Sequence, residues 1–549
     1  MAKRKRKVSV LRLIIILLIV LLLIIGGFFI YNYIKDLLAV EDKYLANDEP
    51  TVLIRNEDDE YVEFTRGTKL QVKVKPTVID EVEYHQFKYE DKKYYVLEDN
   101  LVTDYRDCVL EKNRYVLKNS ILSDEIDSYI IKGYVKKSDL VEITGYHELL
   151  SDGSVDYYFV NNTGYIESSK LAKEYYDTSL DSSIYTDVDY GSGGDPTLID
   201  YYHKEELSFS NNKMPEVVQG LYINAEAVCI VDRYIELAEN SNINAFVVDI
   251  KDCYVDTQLA YDSKVMKEYA PSTDNIPNTF EEYKEAIKKI KDAGYYVIGR
   301  ITAFKDDAFA RDNIEESLVY EDGEFYHYNL VDWPSIYSRK MWEYNVALAS
   351  EAVKEMGFNE IQFDYCRSPE RIDDDVLKRN KYNETPSQAI TNFLRYATEQ
   401  LHKLGVYVSA DVFGEISGWN DYEYSGFVSG YGQFWPAISN AVDAISSMPY
   451  PDHFSNYAYD VYEPWSNPYD IIYAWGKATK FSQEKTYDPA KCRTWIMVQD
   501  SEPYDVEYDE YMILDQIEAL KDADVYDGFL TWNAASSLWF YGLLVDNLD

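Results

Sequence analysis

The sequence beyond Pro215 alternates between short apolar segments typical of β-strands and longer amphipathic segments typical of helices. Eight such units predict an α/β fold, a (β/α)8 TIM barrel over residues 215–549. A doubly wound open sheet is the alternative, but no glycine-rich phosphate loop follows the first predicted strand. The strands are predicted to begin at Gly220, Ala245, Tyr295, Glu360, Val406, Asp443, Arg493 and Asp527. Predicted helices include Thr279 to Ala293, Ser338 to Met356, Pro386 to Leu404 and Asp509 to Lys521, and helix-closing glycines are expected at Gly294, Gly357 and Gly405.

The N-terminus combines a basic cluster with a long uncharged segment. Residues 1–12 carry six Lys or Arg side chains, and residues 13–34 carry no charge. A helix of that length, at about 1.5 Å per residue, crosses a hydrocarbon core of about 30 Å. Because clustered cations stay cytoplasmic, we expect a cytoplasmic segment at 1–12, a transmembrane helix at 13–34 in the cell membrane, and extracellular domains beyond it. A cleavable signal peptide is the alternative, although small residues would then follow its apolar core, where this chain has aromatic ones.

The composition excludes two classes of protein. Hydrophobic residues make up 46% of the chain, which argues against a disordered protein. The 97 acidic residues outnumber the 54 basic ones, so we expect no nucleic-acid partner, because phosphate binding needs clustered cations. The five cysteines lack the spacing of zinc sites, and their odd number implies no disulfide framework. Cys366 is interpreted as a small buried apolar residue rather than a nucleophile.

Before the predicted barrel, the sequence has short alternating strands separated by Gly, Asn and Asp turns. Two segments, Lys92 to Val102 and Asp156 to Ala172, repeat one pattern of aromatic strand, polar turn and closing hydrophobic residue. This arrangement resembles the bacterial SH3-like barrels of cell-wall proteins and predicts β modules at 51–110 and 111–173. Such modules bind wall peptides or glycans, or they act as spacers. Residues 174–214, rich in Asp, Ser, Gly and Tyr, are predicted to be a linker.

Polar side chains collect at the ends of the predicted barrel strands. Because the carboxyl ends of parallel strands converge on one mouth of a barrel, these side chains are expected to form a site there. Asp364 follows the apolar core of the fourth strand and Asp411 that of the fifth, so the two acids should be neighbours. The residues predicted to bind substrate are Lys251, Asp252, Arg300, Lys305, Arg367, Tyr450, His453, Trp532 and Asn533.

This set fits glycoside hydrolysis, which needs one ionised and one protonated carboxylic group at the glycosidic bond. Arg300 or Arg367 would keep Asp364 ionised as nucleophile or stabiliser, because a nearby cation favours the charged form. Asp411, set among apolar residues, would stay protonated as the general acid. The alternative catalytic acids are Glu415, Asp249 and Asp500. Platforms for sugar rings would come from Trp333, Trp419, Trp435, Trp465 and Trp532.

Other hydrolytic chemistries find little support in the sequence. The six histidines form no H-x-x-H or H-E-x-x-H arrangement, so we expect neither a metal site nor a cofactor. The spacing of Asp249 and Asp252 does not support a hard cation between them. The absence of a G-x-S-x-G motif argues against an esterase.

Six segments in the predicted barrel carry a family resemblance. They are VVDIKD from Val247, IGRITAFKD from Ile298, GFNEIQFDYCRSP from Gly357, SADVFG from Ser409, SMPYPDHF from Ser447 and GFLTWNA from Gly528. They resemble the motifs of a bacterial family catalogued as a "putative glycosyl hydrolase domain", whose members are mostly anchored or secreted TIM barrels. On this resemblance, the Asp and Arg of the family motif F-D-Y-x-R-F-P fall on Asp364 and Arg367. The Asp of its A-D-V-F-G motif falls on Asp411.

The resemblance implies a membrane-anchored extracellular glycoside hydrolase that acts on a cell-wall or extracellular polysaccharide. The alternative is a catalytically inactive barrel that binds glycan or serves as a wall scaffold, and transglycosylation is a third possibility. The chain departs from the family pattern at three positions near the predicted mouth, Cys253, Cys366 and Ser368. These departures leave the main carboxylates intact and concern substrate preference.

Overall fold

The computed structural model describes residues 10–205, 207–418 and 427–548. The chain divides into two compact units, one formed by Met1–Ser128 and Lys132–Tyr176 and the other by Tyr129–Ile131 and Asp177–Asp549.

An apolar helix, Val10–Leu38, begins the described chain. Its 29 residues, at about 1.5 Å each, exceed the roughly 30 Å of a hydrocarbon core. By length and composition it is the one candidate membrane span among the described residues, and a signal sequence near the N-terminus would share both properties. The helix is longer than the predicted segment 13–34 at both ends. Residues 1–9, which hold most of the basic cluster, lie outside the described residues.

Antiparallel strands make up the rest of the first unit. They pack around two hydrophobic cores, one containing Leu45, Phe64 and Val96 and the other containing Val116 and Ile166. Leu45 precedes the predicted start of the first module at 51, so that core begins earlier than the sequence indicated. The SH3-like identity stays a prediction. In sheet order the strands are Lys69–Lys73, Val40–Leu45 and Leu101–Val102; Tyr61–Thr65, Thr51–Asn56, Lys92–Leu97, Val82–Tyr89 and Thr77–Ile79; and Ile131–Val135, Ser120–Ser123, Gly164–Glu167, Tyr157–Val160, Leu140–Tyr146, Asn113–Val116 and Leu171–Ala172.

The second unit is a closed barrel of eight parallel strands, as predicted. The first strand pairs in parallel with both the second and the eighth, which closes the sheet. A short strand, Thr257–Leu259, adds to the end of the second strand in antiparallel orientation. The eight strands are Val218–Ile223, Ala245–Cys253, Tyr296–Thr302, Glu360–Asp364, Tyr407–Phe413, Ala444–Met448, Lys491–Met497 and Gly528–Trp532.

Helices surround the barrel because alternate strand residues are apolar and need a cover. Phe363, for example, packs its ring 5.3 Å from that of Phe393 on a flanking helix. The four helices predicted explicitly are present, with ends within two residues of the prediction. Gly294, Gly357 and Gly405 have φ angles of 91°, 75° and 76°, the left-handed geometry expected after a helix. The helices of this unit are Val231–Ala238, Lys264–Tyr269, Phe280–Asp292, Asp307–Asp312, Arg339–Met356, Pro386–His402, Trp435–Ala441, Pro468–Glu484, Glu510–Asp522 and Leu538–Val545.

The barrel interior contains a buried ion pair near the amino ends of the strands. Arg493 donates two hydrogen bonds to Glu360, at 2.7 and 3.0 Å. Tyr296 and Ser409 donate two more to the same carboxylate. Because every carboxylate oxygen of Glu360 is satisfied, the pair can remain in the interior.

Part of the predicted linker, 174–214, packs against the barrel unit. Tyr185 and Tyr201 are buried in a cluster with Val428 and Phe434 of the barrel unit. The Asp, Ser and Gly residues that suggested a linker form short 3-10 turns instead, capped by Asp181 and Asp195 side chains. Turn-rich composition therefore does not indicate flexibility here.

Candidate active site

A cavity of about 200 Å³ lies at the carboxyl ends of the barrel strands. This is the end at which parallel barrels carry their sites. The described residues that line the cavity are Arg300, Asp364, Tyr365, Arg367, Phe413, Gln433, Met448, Tyr450, His453, Trp495 and Trp532. The structure therefore brings together six of the residues that the sequence predicted for the site: Arg300, Asp364, Arg367, Tyr450, His453 and Trp532.

Asp364 is the carboxylate that faces this cavity. It is the last residue of the fourth strand and pairs across to Thr302 of the third. Its Oδ2 accepts hydrogen bonds from Nη2 of Arg300 at 2.6 Å and from Nε at 3.2 Å. The following residue, Tyr365, has a φ of 49°, which is rare for a bulky side chain and occurs most often at functional sites. The main-chain N–H of Tyr365 donates to Oδ1 of Asp364 at 2.6 Å.

Arg300 joins three carboxylates. Besides Asp364, its Nη1 donates to Asp249 at 2.7 Å and to Asp252 at 3.3 Å. The hydroxyl of Tyr222 donates to the other oxygen of Asp249. Burial raises the pKa of Asp249 to about 7, against the opposing effect of the Arg300 charge. Asp249 therefore has a pKa near neutrality. Asp364 and Asp252 are the other two carboxylates that accept hydrogen bonds from Arg300.

Asp411 lies beneath the cavity floor and not at the mouth. Phe363 and Ala410 are paired across the fourth and fifth strands, so Asp364 and Asp411 are adjacent one residue further on. The carboxyl group is fully buried and is absent from the described cavity lining. Nε1 of Trp495 donates to its Oδ1 at 2.8 Å, and its Oδ2 has no partner among the described residues.

The environment of Asp411 favours its protonated form. Burial, and next the nearby charge of Asp364, raise the pKa of Asp411 well above the ordinary value. Protonation was expected from its apolar neighbours, but its complete enclosure was not. The strand alternation points Asp411 into the barrel, where the surrounding side chains cover it completely.

Glu415 lines an adjoining cavity of about 450 Å³. The two cavities share Phe413, Met448 and His453, so they adjoin each other. The hydroxyl of Tyr431 donates to Oε1 of Glu415. Glu415 is thus the alternative acid that has direct access to a bound ligand.

Arg367 contacts aromatic rings and does not contact Asp364. Its guanidinium carbon lies 4.6 Å from the ring centre of Phe413, 5.0 Å from Tyr365, 5.3 Å from Trp333 and 5.9 Å from Tyr431. Arg300 is therefore the cation beside Asp364, and Arg367 serves another purpose.

Four predicted site residues are held away from the cavity by other contacts, and a fifth, Lys305, does not line it either. Lys251 is fully buried and donates to Asp306 at 2.7 Å and to Asn345 at 3.0 Å, because the second strand bulges between Asp249 and Lys251. The amide of Asn533 donates to the main-chain oxygen of Val498 and accepts from the main-chain N–H of Ser537. The carboxylate of Asp500 accepts from the main-chain N–H of Tyr508. Asp252 contacts Arg300 but does not line the cavity.

The tryptophans predicted to stack on sugar rings lie in different environments. Trp532 lines the cavity and stacks at 5.1 Å from Tyr222. Trp333 and Trp435 are buried in the protein, and Trp465 stacks on Tyr504 at 3.7 Å. Trp419 lies outside the described residues.

Ordinary structural roles account for Cys366 and for one cluster of potential metal ligands. Cys366 is fully buried, and burial raises the pKa of its thiol well above the ordinary value. Among the described residues, His147, Glu148 and Asp156 of the first unit have ligand atoms within 4.8 Å of one another. His147 Nδ1 lies 2.7 Å from Asp156, whose other oxygen accepts the main-chain N–H of Glu148. These contacts fix a local turn at the surface.

Two aromatic residues of the site escaped the sequence analysis. Trp495 holds Asp411, and Tyr222 holds Asp249. Both lie inside strands, where an aromatic residue is usually part of the core. The alternation Arg493, Trp495 on the seventh strand was the available signal, since both side chains reach carboxylates in the barrel interior.

Comparisons with solved structures find low-scoring likenesses. A hypothetical protein from Ruminiclostridium thermocellum is 32% identical, covering 35% of this chain and 97% of that one at a TM-score of 0.30. The chitobiase of Flavobacterium johnsoniae is 12% identical over 60% of this chain and 48% of its own, at 0.38. The endo-1,4-beta-D-mannanase of Thermotoga petrophila is 13% identical over 58% and 88%, at 0.38. Scores this low carry no conclusion about substrate or mechanism.

The comparison with family models, unlike those structural likenesses, assigns the chain to a family. No curated protein matches the chain. The family model described as "Putative glycosyl hydrolase domain" matches residues 220–538, which is more than half of the chain and includes all of the cavity described above. The chain therefore belongs to this glycosyl hydrolase domain family.

Proposed function

We propose that the barrel hydrolyses glycosidic bonds in a polysaccharide, with Asp364 as the ionised carboxylate of the reaction. The observation that carries this proposal is the contact between Asp364 and Arg300 at the cavity floor. The guanidinium at 2.6 Å places a positive charge against this carboxylate and fixes its orientation in the cavity, as a nucleophile or an oxocarbenium stabiliser requires. Trp532 and Tyr450 in the cavity wall offer flat apolar faces to a sugar ring.

Two groups can supply the proton for the leaving oxygen. The raised pKa of Asp411 favours its protonated form beside Asp364, but its carboxyl group is fully buried, so a substrate can reach it only after neighbouring side chains move. Glu415 has direct access through the adjoining cavity. Access and protonation thus favour different acids, and variants of each distinguish them.

The apolar helix and the β segments suggest where this reaction takes place. We place the barrel outside the cell, anchored by the helix Val10–Leu38, with a cell-wall or extracellular polysaccharide as the substrate. The β modules would hold wall polymer or set the height of the barrel above the membrane. Protease digestion of intact cells tests this orientation, since only an external barrel would be cleaved.

The test of the proposed function is sugar release by the full chain in detergent from a panel of wall and extracellular polysaccharides. We expect release by the parent protein and a loss of about 10³-fold in Asp364→Asn, since the amide cannot replace the carboxylate charge. Unchanged release in Asp364→Asn would disprove the assignment. Retention of a glycan with no product from the parent would instead support a binding protein.

A further inference from the structure

Lys305 is a nearly buried cation with no carboxylate in contact among the described residues, although the charges of Asp252 and Asp364 act on it from further away. Only 7% of its surface is exposed, and it makes no hydrogen bond or ion pair within the described chain. Its Nζ lies over the rings of Tyr365, at 4.8 Å, and Tyr254, at 5.9 Å. Tyr365 lines the cavity, so Lys305 packs against a residue of the cavity wall.

Arg367 is a second cation with no hydrogen-bonded carboxylate, and it also contacts Tyr365. It lines the cavity with 5% of its surface exposed. Of its five N–H donors, one donates to a main-chain oxygen, that of Ser368 at 3.0 Å. Its nearest carboxylate within the described residues is the half-exposed Glu370, at 3.9 Å, too far for a hydrogen bond. The four surrounding rings hold the guanidinium without using its hydrogen-bond donors.

Buried cations elsewhere in this barrel are treated differently. Lys251, Arg300 and Arg493 each have a carboxylate oxygen within 2.7 Å. Lys204, which has no carboxylate contact of that kind, donates to the main-chain oxygens of Ser439 and Val442. In a chain with 97 acidic residues against 54 basic ones, carboxylates are not scarce. The two cations at Tyr365 thus lack the close carboxylate contact that Lys251, Arg300 and Arg493 have.

We infer that Lys305 and Arg367 form a subsite for an anionic group on the glycan, a carboxylate or a phosphate. The inference rests on the proposed function, since it names the class of glycan that would occupy the same cleft. Two like charges on one tyrosine ring repel each other, and a bound anion relieves that repulsion while accepting their free N–H donors. The anion would lie near Asp364, and the positive charge of Arg300, which donates to Asp364, Asp249 and Asp252, offsets the negative charge of those carboxylates.

The test is a binding measurement that requires no turnover. Glucuronic acid and glucose differ in one carboxylate, and both sample their two anomers in solution. Calorimetric titration of the full chain in detergent should give about tenfold tighter binding of glucuronic acid than of glucose, with a preference that weakens as salt is added. Lys305→Gln and Arg367→Gln should each remove most of that preference. Lys264→Gln, which changes an exposed lysine, should keep it.

Inorganic phosphate provides the second arm of the experiment. If phosphate binds with the same dependence on the two cations and glucuronic acid does not, the anion is a phosphate; the reverse result identifies a carboxylate. Equal binding of glucose and glucuronic acid together with no phosphate binding would overturn the inference, as would a preference unaffected by both variants. A parent protein that binds the anion but releases no sugar would count against the proposed hydrolysis and would still support this subsite.

Discussion

Removal of Arg300 should destabilise the barrel in a way that depends on pH. Arg300 is 2% exposed and carries four hydrogen bonds to Asp249, Asp252 and Asp364. Arg300→Met keeps most of the side-chain volume but leaves Asp249 and Asp364 buried without a cation. Breaking a buried ion pair from one side costs about 3–5 kcal/mol, so we expect a loss of about 4 kcal/mol at about pH 8.

The loss should shrink at lower pH because the orphaned carboxylates can take up protons. Burial already raises the pKa of Asp249 to about 7 while Arg300 opposes the shift, so removal of Arg300 moves this pKa further up. Between the unfolded value and this raised value, the native state binds protons that the unfolded chain lacks, and stability falls as pH rises. At about pH 5 the cost of leaving Asp249 charged is mostly absent, whereas the lost hydrogen bonds still count. We therefore expect Arg300→Met to lose roughly half as much stability as at pH 8.

Tryptophan fluorescence can follow this unfolding selectively. All nine tryptophans lie at or beyond Trp333, so the signal reports the barrel unit alone. The barrel transition in guanidinium would be compared at the two pH values for the parent, Arg300→Met and Arg311→Met. Arg311 is 42% exposed, and its loss should cost less than about 1 kcal/mol. An Arg300→Met variant as stable as the parent at pH 8, or equally destabilised at both pH values, would refute the reasoning.

Three further outcomes are expected. Asp411→Asn removes a buried acid whose pKa is raised, so the decline in stability between about pH 4 and pH 8 should flatten, which fluorescence-monitored unfolding would reveal. Glu415→Gln should reduce sugar release about 10²-fold with a natural glycan but much less with a nitrophenyl leaving group, which needs no proton; equal losses with both would exclude Glu415 as the donor. Gly528→Ala should destabilise the barrel by more than about 2 kcal/mol, because φ is 129° and a Cβ would overlap the main-chain oxygen of Val218, whereas Gly542→Ala in an open helical position should not.

The fold was predictable because strand and helix periodicities differ and helices need specific ends. The glycines at 294, 357 and 405 do adopt the left-handed geometry, and the helices predicted from Thr279 and Pro386 start at capping boxes. The extent of each strand was less predictable. The fourth strand ends at Asp364, because Tyr365 takes a left-handed conformation that no periodicity signals.

The site was predictable as far as the strand ends determine it. Asp364 and Arg300 meet because neighbouring parallel strands align their ends. The depth of a side chain in the barrel is a different matter, since it depends on tilt and bulges. For that reason Asp411 is buried below the cup and Lys251 is turned into an ion pair with Asp306, although both follow the same sequence rule as Asp364.

The central claim, that the carboxylate of Asp364 takes part in the chemistry, is tested most directly by chemical rescue. Asp364→Ala removes the carboxylate and leaves space in which azide can take its place beside Arg300. The account predicts negligible sugar release without azide and partial recovery, with a glycosyl azide product, when azide is added. Release by Asp364→Ala at the parent rate without azide would contradict it.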